Sequence, residues 1–123
     1  MCLLLRDNYK IPHNDSDIRW KVVEIRDGDN FAFYQSGYKY KKVNELSLRE
    51  QLLLITNYKK YCSSLGFHVF VNEEDAHILK EIWYRSSIEI KRVKVKDLVA
   101  SGWYEFYGKH VPCETYKYME FLD

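Results

Sequence analysis

Hydrophobic and polar residues alternate over residues 18–26, which is the pattern of a half-buried β-strand. One face of this strand carries Ile18, Trp20 and Val22. A strong turn signal, Asp-Gly-Asp-Asn, occupies residues 27–30, and a returning apolar segment follows over residues 31–34. The sequence therefore predicts a β-hairpin here, with a further short strand over residues 39–43 after the Gly37 break.

Two helices are predicted from helical spacing and from residues that favour helix N-termini. Ser47 and Glu50 have the spacing of a capping box, and apolar residues continue at helical intervals over residues 48–60. Asn72 precedes an acidic first turn, which suits the start of a second helix over residues 73–84. The apolar stripe of this second helix consists of Ala76, Leu79, Ile82 and Trp83.

The second half of the chain supplies the remaining strands. They are predicted over residues 65–71, 87–96, 98–107 and 115–122, the third being interrupted at Gly102. In the second of these, the apolar residues change face between Ile90 and Val93, so a β-bulge is expected near Lys91 and Arg92. The order of elements predicts an α+β fold for a single domain over residues 1–123, with a mainly antiparallel sheet and about two helices packed on one face.

Composition indicates the kind of protein and its compartment more than it indicates the function. The 123 residues are 46% hydrophobic, which is enough for one buried core. With 19 basic and 18 acidic residues, no overall charge attracts the chain to nucleic acid or to a membrane surface. No apolar run approaches the about 20 residues of a membrane span. Cys2, Cys62 and Cys113 are odd in number and follow no secretory signal, so free thiols in the cytoplasm are expected.

Two short motifs carry a resemblance. The chain opens with Met-Cys-Leu at residues 1–3, and Gly-Phe-His-Val-Phe at residues 66–70 precedes Asp-Ala at residues 75–76. In these motifs the chain resembles small uncharacterised proteins encoded by phages and other mobile genetic elements. The resemblance implies a shared fold and an accessory role in a host cell. Such accessory proteins often bind and block host components, so a non-catalytic binding protein is the first functional hypothesis.

Basic residues interleaved with tyrosines form the candidate binding surface. Strand alternation puts Arg92, Lys94 and Lys96 on one face, while the valines between them point into the core. Tyr38 and Tyr40 lie in a second cluster of lysines and aromatic rings. Cations beside rings suit an anionic ligand such as a nucleotide or nucleic acid, or a host protein. The alternative is a solvated outer face whose lysines protect the sheet from aggregation. Tyrosine-rich strands would also suit a homodimer interface.

An enzymatic alternative starts from His68, which is predicted to lie on a central strand with two apolar faces. A histidine there is either a general base or a satisfied core residue. A small nucleotide-processing enzyme similar to ADP-ribosyltransferases would use His68 and Glu105, with Arg19 and Glu120 as further candidates. The chain contains neither the Ser-Thr-Ser nor the Glu-x-Glu motif of those enzymes.

Two further functional hypotheses involve cysteine residues. Removal of Met1 would make Cys2 an N-terminal nucleophile, but the following Leu-Leu-Leu departs from the pattern of amidohydrolases that begin this way. A zinc site would draw on Cys62, His68, His110 and Cys113. His110 and Cys113 have the spacing of a zinc knuckle, but Cys62 and His68 are not a usual zinc pair and no Cys-x2-Cys occurs. The prediction is therefore that the protein holds neither a metal nor a cofactor.

Overall fold

A computed structural model describes residues 3–4, 16–32, 38–56, 62–63, 66–82, 87–106 and 108–122. The strands are β1 (Leu3–Leu4), β2 (Ile18–Arg26), β3 (Asp29–Ala32), β4 (Val43–Glu45), β5 (Cys62–Ser63), β6 (Phe67–Phe70), β7 (Ile88–Phe106) and β8 (Lys109–Phe121). The helices are α1 (Leu48–Thr56) and α2 (Glu73–Ile82). The described strands pair antiparallel, so the predicted α+β fold dominated by an antiparallel sheet is confirmed.

Four of the strands pair in a closed circuit. One edge of β2 pairs with β7 over residues 18–24, and the other edge meets β6 at the pair Trp20–Phe70. Strand β6 pairs with β8, and β8 pairs with β7. The sequence β2–β7–β8–β6 therefore returns to β2. Outside this circuit, β3 extends β2, β4 pairs with β8, and β1 joins β7 to β5.

The predicted first hairpin is confirmed, because β2 and β3 pair directly across residues 27–28. Asp27 has φ 50° and Gly28 has φ 81°, and two positive φ values are what a two-residue hairpin turn requires. The short strand expected over residues 39–43 lies instead at β4. Within the expected range, Lys39 forms an isolated bridge with Phe31.

The circuit has a separate apolar cluster on each of its two faces. The helix-side cluster consists of Val22, Phe70, Ala76, Leu79, Ile88, Val111 and Cys113. The inner cluster consists of Val23, Leu46, Phe67, Val69, Val93, Val95, Tyr116, Met119 and Phe121. Alternate residues of the same strand therefore serve different cores, which is why both faces of β6 are apolar. This confirms the expectation of a central strand, since β6 lies between β2 and β8.

The two clusters also overturn the bulge expected near residues 91–92. Strand β7 pairs with β2 residue for residue from Ile88 to Lys94, with no irregularity. Its apolar residues change face because Ile88 belongs to the helix-side cluster and Val93 to the inner cluster. The irregularity in the β7–β8 pairing lies later, between Leu98 and Ala100, directly after Asp97, whose φ is 61°.

The last two strands are longer than predicted. Strand β7 continues without a break through Gly102, which is buried and lies opposite Cys113. Strand β8 begins at Lys109, six residues before the expected start at residue 115. The sequence interpretation placed an interruption at Gly102 and left the region of Pro112 outside the last strand; glycine and proline usually weaken strands. Pro112 nevertheless pairs with Trp103 inside the long hairpin.

Both helices begin where the sequence predicts. The capping box is confirmed: the Ser47 amide donates to Glu50 Oε1 at 3.0 Å, and the Glu50 amide donates to Ser47 Oγ at 3.2 Å. Helix α2 follows Asn72 and buries Ala76 and Leu79 against β2, β6 and β7. The expected shared core of α2, β6 and Trp20 is present.

Helix α1 spans Leu48–Thr56, and the rest of its predicted range lies outside the described residues, as does Trp83 of the predicted α2 stripe. The packing of both helices on one face stays a prediction. Neither described helix has the length and apolar composition needed to cross a membrane.

Candidate functional site

The predicted alternation of exposed and buried residues in β7 is confirmed. Val93 and Val95 are 0% and 4% exposed and lie in the inner cluster. Arg92, Lys94 and Lys96, which we call the basic row, lie on the opposite face, with Arg92 and Lys96 exposed and Lys94 partly exposed. Because the reverse side of the strand is packed core, the backbone beneath these three side chains is held in place.

Acidic groups and a tyrosine lie directly beside the basic row. Lys94 Nζ lies 3.8 Å from Asp17 Oδ2, and the cross-strand neighbour of Lys94 on β8 is Glu120. Lys96 Nζ lies 4.9 Å from the centre of the Tyr118 ring, a cation–π distance. The Tyr118 hydroxyl donates to Glu120 Oε2 at 3.2 Å. This face is therefore a mixed array of positive, negative and aromatic groups.

The state of the Tyr118 hydroxyl follows from its surroundings. Loss of hydration raises the pKa of Tyr118, and the nearby Glu120 carboxylate raises it further. The phenol therefore keeps its proton at neutral pH and acts as a donor to Glu120. On the far side of β8, Glu45 of β4 pairs with Tyr118 and adds another exposed acid to the array.

The tyrosines predicted to extend the basic row lie elsewhere. Tyr38 is 47% exposed, and its ring centre lies 5.3 Å from that of Tyr40. Tyr40 in turn packs at 6.5 Å from Phe67 and 5.7 Å from Phe121. Both phenylalanines belong to the inner cluster, which lies on the face of the sheet opposite the basic row. The prediction of one surface containing the tyrosines and the basic row is corrected accordingly.

A buried polar group that the sequence did not reveal lies within the circuit. Arg19 Nε donates to Glu114 Oε1 at 2.6 Å, and the two side chains are 5% and 11% exposed. The Tyr116 hydroxyl donates to the same carboxylate oxygen at 2.9 Å. Arg19 Nη1 donates to the Ile18 carbonyl at 2.8 Å and also to the Ser16 carbonyl. Burial raises the pKa of Tyr116, and its hydrogen bond to Glu114 adds to the effect.

This ion pair joins two strands that are not neighbours. Arg19 lies on β2 and Glu114 on β8, with β6 between them on one side of the circuit and β7 on the other. Sequence reasoning missed Glu114 because it started the last strand at residue 115. The signal that was available is the alternation of Glu114 with Tyr116, which places both polar groups on one face of a strand.

His68 is held by the backbone around it. Its Nδ1 lies 3.2 Å from the Gly66 carbonyl oxygen, and its own carbonyl accepts a hydrogen bond from Lys21 Nζ at 2.7 Å. Lys21 Nζ also lies 5.5 Å from the centre of the Tyr40 ring. The lysine ammonium thus occupies a position between β2 and β6 where a backbone amide would otherwise be expected.

The structure does not bring the proposed catalytic residues together. His68 pairs with Thr115, whereas Glu105 pairs with His110, to which its carboxylate lies at 3.3 Å. Their partners are five residues apart on β8, which corresponds to about 17 Å along a strand. Of the other two candidates, Arg19 is paired with Glu114, and Glu120 accepts a hydrogen bond from the Tyr118 hydroxyl.

Among the described residues, no cluster of three metal-binding side chains occurs. Exposed His110 and buried Cys113 lie three residues apart on β8, so they point to opposite faces. Cys113 is a free thiol whose pKa is raised by burial. Cys2 and the side chain of Cys62 lie outside the described residues.

Comparison with known proteins gave no match to a family model, to a curated protein or to a solved structure.

Proposed function

We propose that this protein is a non-catalytic binding protein whose contact surface is the basic row of β7 together with Tyr118 and Glu120 of β8. The observation that carries the proposal is the basic row on the solvent side of a strand whose other side is buried core. A surface fixed in this way presents its side chains without first having to order the backbone. Less conformational entropy is therefore lost when a partner binds.

The arrangement of charges favours a protein partner over a polyanion. A nucleic acid backbone brought close to Lys94 would also approach Asp17 and Glu120, and these repulsions would offset much of the attraction. A protein surface can instead place its own acids opposite Lys94 and Lys96 and its own bases opposite Glu120. Such complementarity contributes mainly to specificity and to the rate of association.

The setting follows from the resemblance to phage and mobile-element proteins. An accessory protein of that kind acts in the host cytoplasm, and its partner is a host protein. The packing of both helices on one face belongs to the same proposal: α2 covers the helix-side cluster around Ile88, and the basic row lies farther along the same side of β7. Nothing among the described residues favours the ADP-ribosyltransferase-like alternative with His68 and Glu105.

The test compares two triple variants of equal charge change. The first replaces the basic row (Arg92→Ala, Lys94→Ala, Lys96→Ala), and the control replaces three exposed lysines elsewhere (Lys42→Ala, Lys80→Ala, Lys109→Ala). Each exposed substitution should change the free energy of unfolding by only about 0.5 kcal/mol or less. A host protein captured by the wild type is purified, and its affinity for all three proteins is measured by calorimetry.

We expect the basic-row variant to bind that partner at least about tenfold more weakly, the equivalent of about 1.4 kcal/mol, with the control unchanged. Equal loss in both variants would mean that only net charge matters and would refute the proposed surface. Short oligonucleotides and nucleotides form a second arm of the measurement. If the wild type binds them with steep salt dependence and the basic-row variant does not, the ligand is an anion rather than a protein.

A further inference from the structure

One line of side chains crosses four paired strands on the side of the sheet that carries the basic row. Ile18 of β2 pairs with Lys94 of β7, which pairs in turn with Glu120 of β8. Glu120 also pairs with Val43 of β4. Residues that pair across antiparallel strands place their side chains on the same face of the sheet. Across the sheet, this line, which we call the mixed row, therefore has the order apolar, basic, acidic, apolar.

The base and the acid of the mixed row do not neutralise each other within the chain. Among the described residues, the ion pair of Lys94 is with Asp17, at 3.8 Å. The Glu120 carboxylate accepts a hydrogen bond from the Tyr118 hydroxyl and forms no ion pair within the described part of the chain. Val43 is 43% exposed, and the other members of the row are partly exposed. The whole row is therefore accessible to a partner.

The order of the mixed row makes this face complementary to itself. A twofold axis parallel to the strands, midway between β7 and β8, exchanges the two central positions of the row and also its two outer positions. Lys94 of one copy then lies opposite Glu120 of a second copy, and Ile18 lies opposite Val43. Base thus faces acid and apolar faces apolar, and each contact occurs twice, as in any isologous interface.

We propose that a second copy of this chain packs face to face on the mixed row about this twofold axis. Opposite charges across an interface fix the register of the two partners and disfavour other arrangements. The inference deepens the proposed function and rests on it, because it names a second occupant of the same contact surface. The dimer covers that surface until the host protein takes the place of one copy.

Helix α2 limits the area that a second copy can cover. Ile88 and Ile90, at the start of β7, lie in or against the helix-side cluster, so contact between sheets is confined to β7 from Arg92 onward. Sheets that pack face to face lie about 10 Å apart with their strands aligned to within about 30°. A small interface of this kind is typical of transient complexes, so we expect a dissociation constant on the order of 10–100 μM.

Sedimentation equilibrium of the full chain in about 50 mM salt, where exposed charges are weakly screened, tests the proposal. The wild type is compared with Lys94→Glu and Glu120→Lys, each of which places like charges opposite each other across the axis. Each variant alone should dimerise at least about tenfold more weakly than the wild type. An equimolar mixture of the two variants should dimerise about as strongly as the wild type, because opposite charges then face each other again.

The recovery in the mixture also separates lost pairing from lost folding, since an unfolded variant would not recover. The matched controls are Lys80→Glu and Glu74→Lys, which make the same charge changes at exposed positions of α2 and should dimerise like the wild type. A wild type that stays monomeric at about 1 mM would overturn the dimer. A mixture that dimerises no better than its two components would overturn the proposed packing.

Failure of the dimer and failure of the proposed function are distinguishable. A monomeric wild type is seen in sedimentation and leaves the affinity for the captured host protein unchanged. Equal loss of host-protein affinity in the basic-row variant and its triple-lysine control is seen in calorimetry, and it refutes the proposed function while the wild type still dimerises.

Discussion

Replacing Thr115 by valine should stabilise the protein, although the change removes a polar group. Thr115 is 0% exposed, and its Oγ1 has no hydrogen-bond partner among the described residues. A buried hydroxyl without a partner costs about 1–3 kcal/mol of desolvation. Valine has the same shape, so Thr115→Val replaces the hydroxyl by a methyl group without opening a cavity. We expect the free energy of unfolding to rise by about 1 kcal/mol.

Urea denaturation followed by tryptophan fluorescence measures this change. The matched control is Thr115→Ser, which keeps the hydroxyl and loses one methyl group. It should lower the free energy of unfolding by about 1 kcal/mol, because a buried methyl contributes about that much. The slope of unfolding against urea should stay constant in both variants, so that the midpoint alone reports stability. If Thr115→Val lowers stability by more than about 0.5 kcal/mol, the hydroxyl is hydrogen-bonded in solution and the reasoning fails.

Three further predictions concern Gly66, the capping box of α1 and the Cys113 thiol. Gly66→Ala should lower the free energy of unfolding by about 2–4 kcal/mol, because Gly66 has φ +93° and the added Cβ would lie 3.0 Å from Thr115 Cβ. A decrease of less than about 1 kcal/mol in urea or thermal unfolding would contradict this geometry. Ser47→Ala should lower the free energy of unfolding by about 1 kcal/mol, and Glu50→Ala by somewhat less, because each removes one hydrogen bond of the capping box. Unchanged urea midpoints in both variants would show that the capping box does not contribute to stability. The Cys113 thiol, whose pKa is raised by burial, should resist thiol reagents in the native protein and react on unfolding. Above pH about 9 the unfolded thiol ionises while the native thiol keeps its proton, so the free energy of unfolding should fall as pH rises there. Rapid labelling of the folded protein would contradict the buried state.

The parts of the fold that depend on neighbours in sequence were predictable. The Asp27–Gly28 turn, the capping box at Ser47 and the burial of Ala76 and Leu79 on one side of α2 all arise within a few residues, and the structure contains them. The sequence also showed that the apolar residues of β7 change from one face of the strand to the other between Ile90 and Val93, but it did not show why. A change of face indicates a bulge when a strand has one buried face, whereas here both faces are buried in different clusters.

The candidate site was predictable only in part, because local alternation fixes which side of β7 a residue faces but not which residues of other elements lie beside it. Alternation alone placed Lys94 and Lys96 on the solvent side of β7. Two acids change the electrostatic character of that row: Asp17 directly precedes β2 and Glu120 lies on β8, so their positions depend on how these strands pair with β7. The Arg19–Glu114 pair depends on closure of the circuit, which no local pattern encodes.

The closed circuit has a consequence for how the chain folds. The β7–β8 hairpin joins residues close in sequence, so it can form early at little cost in chain entropy. Strand β2 must then find β7 across ~70 residues of intervening chain. Proteins dominated by such distant pairings fold in milliseconds to seconds rather than microseconds. Until β2 docks, the edge of β7 that it covers is open, so the slow step is also a period in which this chain is exposed to aggregation.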